Sequence, residues 1–260
     1  MVRRAPHWAH EPAVDLRETG DHPRHPWEVA RCGFLLAALR RHGVLGQCHS
    51  VLDGGAGDAW LARQLLAQLP PDAHVTCWDT EYTPQVAGPI EAAGAGRLQC
   101  AVDRPTTTFD LVTLLDVAEH VPDDVAFLSA VVGENLKSGG YLLFTVPAWQ
   151  ALFTGHDTFL QHHRRYAPQQ AQTLLTGAGL QIVADGGLFH SLLVPRTLEK
   201  LRETALGPPK QSSPGIAWRG GKVLTATVAT ALALDNAVSM HAARLGLQLP
   251  GLSYWALCRK

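Results

Sequence analysis

Short apolar runs alternate with helical patterns through most of this chain, and that alternation constrains the fold more than any other feature. "HSVLDG" reads as a strand and "DAWLARQLLAQL" as a helix. "HVTCWD", "RLQCAVD" and "FDLVTLLDV" read as strands, the last followed by a helix in "PDDVAFLSAVVGENL". "GGYLLFTVPA" is a strand, "APQQAQTLLTGAG" a helix and "LQIVADGG" a strand. Such an order predicts an α/β fold with a mainly parallel sheet, doubly wound with helices on both faces. Ahead of it, Val29, Cys32, Leu35, Leu36 and Leu39 fall at helical spacing, and Gly43 stands where a helix would stop.

The rhythm breaks over residues 188–250. Two helical stretches, 192–206 and 218–245, are separated there by the breaker-rich "GPPKQSSPG". "GLSYWALCRK" then reads as a last strand returning to the sheet. The expected organisation is an N-terminal arm and helix closing over the site (1–44), an α/β core (45–187), a helical insertion that caps the substrate (188–250) and the final strand (251–260).

With 46% apolar residues in 260, the chain can fill a full core. Its formal net charge of -1 speaks against a protein that holds nucleic acid through bulk charge, so no nucleic-acid partner is expected. Five cysteines without a C-x-x-C pair read as reduced thiols of a cytoplasmic protein. The N-terminal "MVRRAPHWAHEP" has basic residues without an apolar run after them, so no signal peptide is expected. The longest apolar stretch, Val223 to Leu234, is shorter than the roughly 20 residues that cross a bilayer, so no transmembrane segment is expected either.

The first strand ends in "VLDGGAGDAW", an acid followed by glycines. In open parallel sheets, ligands bind beyond the carboxyl ends of the strands, and a glycine turn lets them approach the backbone. Asp53, Gly55 and Gly57 fit a D-x-G-x-G-x-G pattern whose last glycine is Ala59; Gly54 sits at a variable position and decides nothing. Asp79, Asp103 and Asp116 end three further strands. An acid at Asp79 can accept both hydroxyls of a ribose, and one at Asp103 can reach an adenine amino group. A dinucleotide turn is the rival reading, but G-x-G-x-x-G lacks its third glycine here.

Together, "VLDGGAGDAWLA", the acid of "CWD", "FDLVTLLDVAEHVPDD" and "LKSGGYLLFTVPAW" resemble the class I S-adenosylmethionine-dependent methyltransferases, in that family's order, over residues 45 to 185. The resemblance implies a seven-stranded sheet with an antiparallel last strand. It also implies S-adenosyl-L-methionine as cofactor, with the glycine turn beneath its methionine part, Asp79 on the ribose and Asp103 near the adenine. A subgroup carries an "HD" followed by H-x-R-R-Y, which His156, Asp157, His162, Arg164, Arg165 and Tyr166 match.

That cluster follows the fifth strand, on the side where the methyl group would lie. His156 or His162 is then a candidate base and Asp157 its orienting acid. Arg164, Arg165 and Tyr166 are candidate substrate contacts, since a guanidinium suits a carboxylate or phosphate. The same residues could instead form a structural lid. No cysteine is near, so no metal site is expected. In "DVAEHV", Glu119 and His120 read first as loop-ordering residues, with an imidazole facing the cofactor pocket as the second reading; Arg31 either pairs with the cofactor's carboxylate or belongs to a helix start with Trp27 stapled to the core.

The function expected is methyl transfer to an O or N atom of a small-molecule or carrier- or lipid-linked acceptor, with a homodimer through the insertion. The alternatives are an NAD-dependent oxidoreductase and a methyltransferase-like binding partner without turnover, since one scaffold hosts many chemistries.

Overall fold

The computed structural model describes residues 24–207, 218, 220–245 and 247–260. The expectations for the arm before Arg24 and for most of the "GPPKQSSPG" linker lie outside the described residues. The elements run α1 (Pro26–Arg41), β1 (Ser50–Gly54), α2 (Trp60–Leu66), β2 (His74–Trp78), α3 (Pro84–Ala93), β3 (Leu98–Ala101) and β4 (Phe109–Leu115). After these come α4 (Asp124–Asn135), β5 (Leu136–Pro147), α5 (Gly155–Phe159), α6 (Pro168–Gly177), β6 (Gln181–Leu188), α7 (Leu193–Leu206), α8 (Lys222–Arg244) and β7 (Ser253–Arg259).

The strands form one seven-stranded sheet in the order β3-β2-β1-β4-β5-β7-β6. β1 to β5 pair in parallel, and β7 runs antiparallel between β5 and β6. Strand alternation explains the two cores. Val51, Leu111, Leu143 and Leu257 face one side, against α1 and α2. Their neighbours Leu52, Val112, Leu142 and Ala256 face the other, against α4 and α6. Phe34 of α1 meets Trp255 of β7 edge-on, ring centroids 5.0 Å apart, which ties the N-terminal helix to the last strand.

The chain runs outward from β1 to β3 and then returns to β4 on the other side of β1. Strand order therefore reverses between β1 and β4, and the turns leaving these two strands open onto one crevice. Gly43 takes the left-handed φ of +69° just past α1, as a helix-terminating glycine does.

Two elements differ from the sequence reading. α3 goes unread in the sequence because Pro84, Gly88 and Pro89 interrupt the pattern and only Ile90 is buried. Proline at its start is compatible with a helix, while Pro89 removes an interior hydrogen bond. α8 corrects the estimate of apolar length: it spans 23 residues, and Lys222–Ala242 is long and apolar enough, by length and composition, to cross a membrane. In the fold this helix lies on α1 and β6. Phe189 N donates to Asn236 Oδ1 at 2.8 Å, and Ser239 Oγ donates to Gly187 O at 2.5 Å. Its other face leaves Val223, Leu224, Leu234 and Val238 exposed.

Candidate active site

The glycine turn is built by close approach. A Cβ on Gly55 would stand 2.7 Å from Val117 Cγ2, and the residue sits at φ +66°. Its amide donates to Trp78 O at 2.8 Å. Gly57 takes φ +52°, and its amide donates to Asp79 Oδ2 at 2.9 Å. Asp79 Oδ1 accepts from Glu81 N at 3.0 Å, so this carboxylate pins the turn from the next strand. Ala59 is forced to φ +56°, where a side chain costs about 1–2 kcal/mol. It opens α2 there with its methyl fully buried. A Cβ on Gly54 would stand 2.8 Å from Leu114 Cδ2, the end of a side chain on the neighbouring strand β4. Asp53 is buried beneath the turn and accepts a hydrogen bond from Thr113 Oγ1. Burial pushes its carboxyl up to about 7, although the Thr113 hydroxyl pulls the other way.

At the end of β4, Asp116 is held at φ +55°. Its Oδ1 accepts from Thr145 Oγ1 at 2.9 Å, and its Oδ2 pairs with Arg31 of α1. Arg31 lies over the Trp27 ring, 4.4 Å from its centroid. Arg31 thus links α1 to the end of β4. Arg24 pairs with Asp58 of the glycine turn and lies over Trp60 at 4.8 Å. The start of α1 is thereby fastened over the crevice by two guanidiniums. Asp103 stands exposed just past β3.

The cluster after β5 is organised by Asp157. This residue is fully buried in α5, where it forms a capping box with Thr154. Asp157 Oδ1 accepts from Arg165 Nε at 2.7 Å and from His162 Nδ1 at 3.0 Å. Its Oδ2 accepts from Arg196 Nη2 of α7 at 2.6 Å and from Thr154 N at 2.9 Å. Burial alone would raise this carboxyl. The His162 hydrogen bond and the two guanidiniums outweigh it and hold the group well below the usual carboxylate range.

His156 is half-buried, and Asp157 turns its carboxylate to His162 rather than to it. Burial, and then the Arg196 charge, lower the His156 imidazole from its ordinary value. Tyr166 is buried and donates to Asp124 Oδ2 at 2.6 Å. Arg164 pairs with Asp124 Oδ1 at 2.9 Å, and Arg165 also donates to Ala148 O at 3.2 Å. Of the three candidate substrate contacts, Arg165 and Tyr166 are thus engaged inside the protein, and Arg164 keeps a solvent-facing edge. Glu119 and His120 lie on a 3-10 turn after β4, and the His120 and His162 rings meet edge-on with centroids 4.7 Å apart. Sequence reasoning missed Thr113, Thr145 and Arg196. Nothing local marks them, because each acts only through a partner far along the chain.

A model of the methyltransferase domain family matches residues 28–185, and the chain belongs to that family. Ubiquinone biosynthesis O-methyltransferase of Idiomarina loihiensis is 27% identical over 192 residues, which cover 66% of this chain and 76% of that protein. Its namesake from Pectobacterium atrosepticum is 26% identical over 152 residues, covering 54% and 60% of the two chains. Among solved structures, the cyclase SpnF shares the fold at a TM-score of 0.55 and 16% identity, over 93% of this chain and 84% of that one. Coclaurine N-methyltransferase does so at 0.52 and 14%, over 88% and 72%. The chain is an S-adenosylmethionine-dependent methyltransferase, and the dinucleotide reading is set aside.

Proposed function

We propose that this enzyme methylates a hydroxyl oxygen of a small acceptor, lipid- or carrier-linked at its apolar end, in the cytoplasm. The observation that carries this reading is a half-buried histidine on α5, the helix that follows β5: burial, and then the Arg196 charge, lower the His156 imidazole from its ordinary value. A neutral imidazole accepts a proton, and a hydroxyl acceptor must lose one. The two curated relatives are O-methyltransferases by name, which agrees with oxygen.

The residues of the turn fit the cofactor. Gly55 and Gly57 offer a cradle that a Cβ on Gly55 would fill, and the Asp79 carboxylate bonded to the Gly57 amide supports Asp53, Asp79, Asp103 and Asp116 as the acids that serve the cofactor. Bound S-adenosylmethionine supplies an activated methyl group at that place. The chain's own residues then align the acceptor oxygen, exclude water and take its proton at His156, which is largely a proximity effect. Asp157 and His162, bonded to each other, position the segment that carries His156. Arg164 is partly exposed, although Asp124 and Pro122 O hold its two terminal nitrogens, and it supplies positive charge toward an anionic group of the acceptor. Residues 188–250 serve as the acceptor cap, and their exposed apolar side chains on α7 and α8 support either an apolar acceptor tail or a homodimer face.

The test is turnover of His156→Ala and His156→Gln with a catechol and a long-chain phenol as acceptors. A fall of at least about 100-fold in kcat, with S-adenosylhomocysteine affinity unchanged, is expected for a lost general base. Full turnover in either variant contradicts the assignment.

A further inference from the structure

We infer that Glu119, His120 and His162 form a binding site for one divalent transition-metal ion at the carboxyl rim of the sheet. One ligand atom from each lies within 4.8 Å of the others. Glu119 is fully buried, and neither of its carboxylate oxygens has a hydrogen-bond partner. A buried carboxylate left bare is strongly unfavourable, and a cation is what satisfies it. Arg31 and Arg165 stand near enough to act on Glu119, but each is already matched by a carboxylate, Asp116 and Asp157.

The histidines are prepared as ligands. His162 Nδ1 is bonded to Asp157 Oδ1 at 3.0 Å, which leaves Nε2 as its free nitrogen. Asp157 is locked in turn by Arg165, Arg196 and the Thr154 amide. A carboxylate holding the far nitrogen of a histidine is how metal-binding imidazoles are oriented and made more basic. The His120 ring meets the His162 ring edge-on, with centroids 4.7 Å apart, which sets the two imidazoles side by side next to Glu119. The two segments that supply the ligands are tied together where they meet, since His163 N donates to Glu119 O at 2.8 Å.

Two imidazoles and one carboxylate suit manganese, cobalt or zinc better than magnesium or calcium, which prefer oxygen. Three protein ligands leave open positions on the ion. A hydroxyl bound there would lose its proton more readily, as metal-bound water does. That role rests on the proposed O-methylation; metal binding itself does not. The sequence gives no sign of the site because no cysteine is present and the ligands come from two separated segments.

The experiment is a titration of cobalt chloride into tag-free, EDTA-treated protein, followed by visible absorption and by calorimetry, with zinc chloride as the second probe. The wild type is expected to bind one ion per chain and to develop cobalt ligand-field bands. Glu119→Gln and His162→Gln are each expected to weaken binding by at least about 100-fold, and Asp157→Asn, which loosens His162, by about 10-fold or more. His163→Ala should bind as the wild type does. Glu119→Gln keeps the size of the side chain and adds no charge, so it should melt close to metal-free wild type and a folding defect does not mask the result. Absence of stoichiometric binding, or equal binding by Glu119→Gln and His162→Gln, overturns the site. S-adenosylhomocysteine binding, measured in the same samples, is expected in all of them. If it persists while metal binding fails, the metal site alone is overturned.

Discussion

Asp157 shows what the "HD" and H-x-R-R-Y pattern does physically. One carboxylate gathers an imidazole, two guanidiniums and a backbone amide, all away from water. Replacing it with Asn leaves buried cations without their charge, and Asp157→Asn is expected to lower unfolding stability by about 3–5 kcal/mol in denaturant titrations. Its depressed pKa sets the direction with pH. The stabilisation is complete above the unfolded value near 4 and is lost as pH falls through the lower folded value. Acid unfolding should therefore lose part of its steepness below about pH 4 in the variant.

Asp53 works in the opposite sense. Its folded value is raised to about 7, so its contribution is full below about pH 4 and declines as pH rises toward 7, with no further change above. In the absence of cofactor, Asp53→Asn should gain melting temperature relative to wild type between pH 5 and 8, and equal slopes in the two proteins would contradict the burial argument. At this scale the sequence marked the cluster around Asp157 but not its pairings. The motif marks His162 and Arg165, yet Arg196, which completes the Asp157 site, comes from the insertion and has no local signature.

Helix and strand elements explain which parts were legible. The strands around the glycine turn are apolar runs bounded by acids and glycines, and they are buried on both faces, so pattern alone reveals them. α3 lies on the surface with interior Gly88 and Pro89 and could not be read the same way. α8 extends beyond its uninterrupted apolar core because Asn236 and Ser239 turn inward and satisfy backbone groups of the β6 end. α7 is fastened to the post-β5 segment by polar ties. Besides Arg196, Lys200 Nζ donates to Phe153 O at 2.7 Å, and Gly155 N donates to Glu203 Oε1 at 2.9 Å. Glu203 is far from the chemistry in sequence, yet it holds the first amide of α5. Glu203→Ala is expected to change global stability by only about 1 kcal/mol. It should nevertheless speed hydrogen exchange at Gly155 markedly, and unchanged protection there would show that α7 does not hold α5.

For the molecule as a whole, the account rests on one crevice between β1 and β4, where strand order reverses. The glycine turn forms its floor, pinned by Asp79 through the Gly57 amide, and the start of α1 is fastened over it through Arg24 and Arg31. Fold, family and turn agree on S-adenosylmethionine. The measurement that tests this most directly is calorimetric titration of S-adenosylhomocysteine, and separately of NAD, into the wild type and Asp79→Ala. The account predicts one site per chain for S-adenosylhomocysteine, weakened at least about 100-fold in the variant, which loses the bond to the Gly57 amide and the ribose contact proposed for Asp79. It predicts no binding of NAD. Failure of the wild type to bind S-adenosylhomocysteine, or equal affinity in Asp79→Ala, would contradict the reading of "VLDGGAGDAW" as a working cofactor turn.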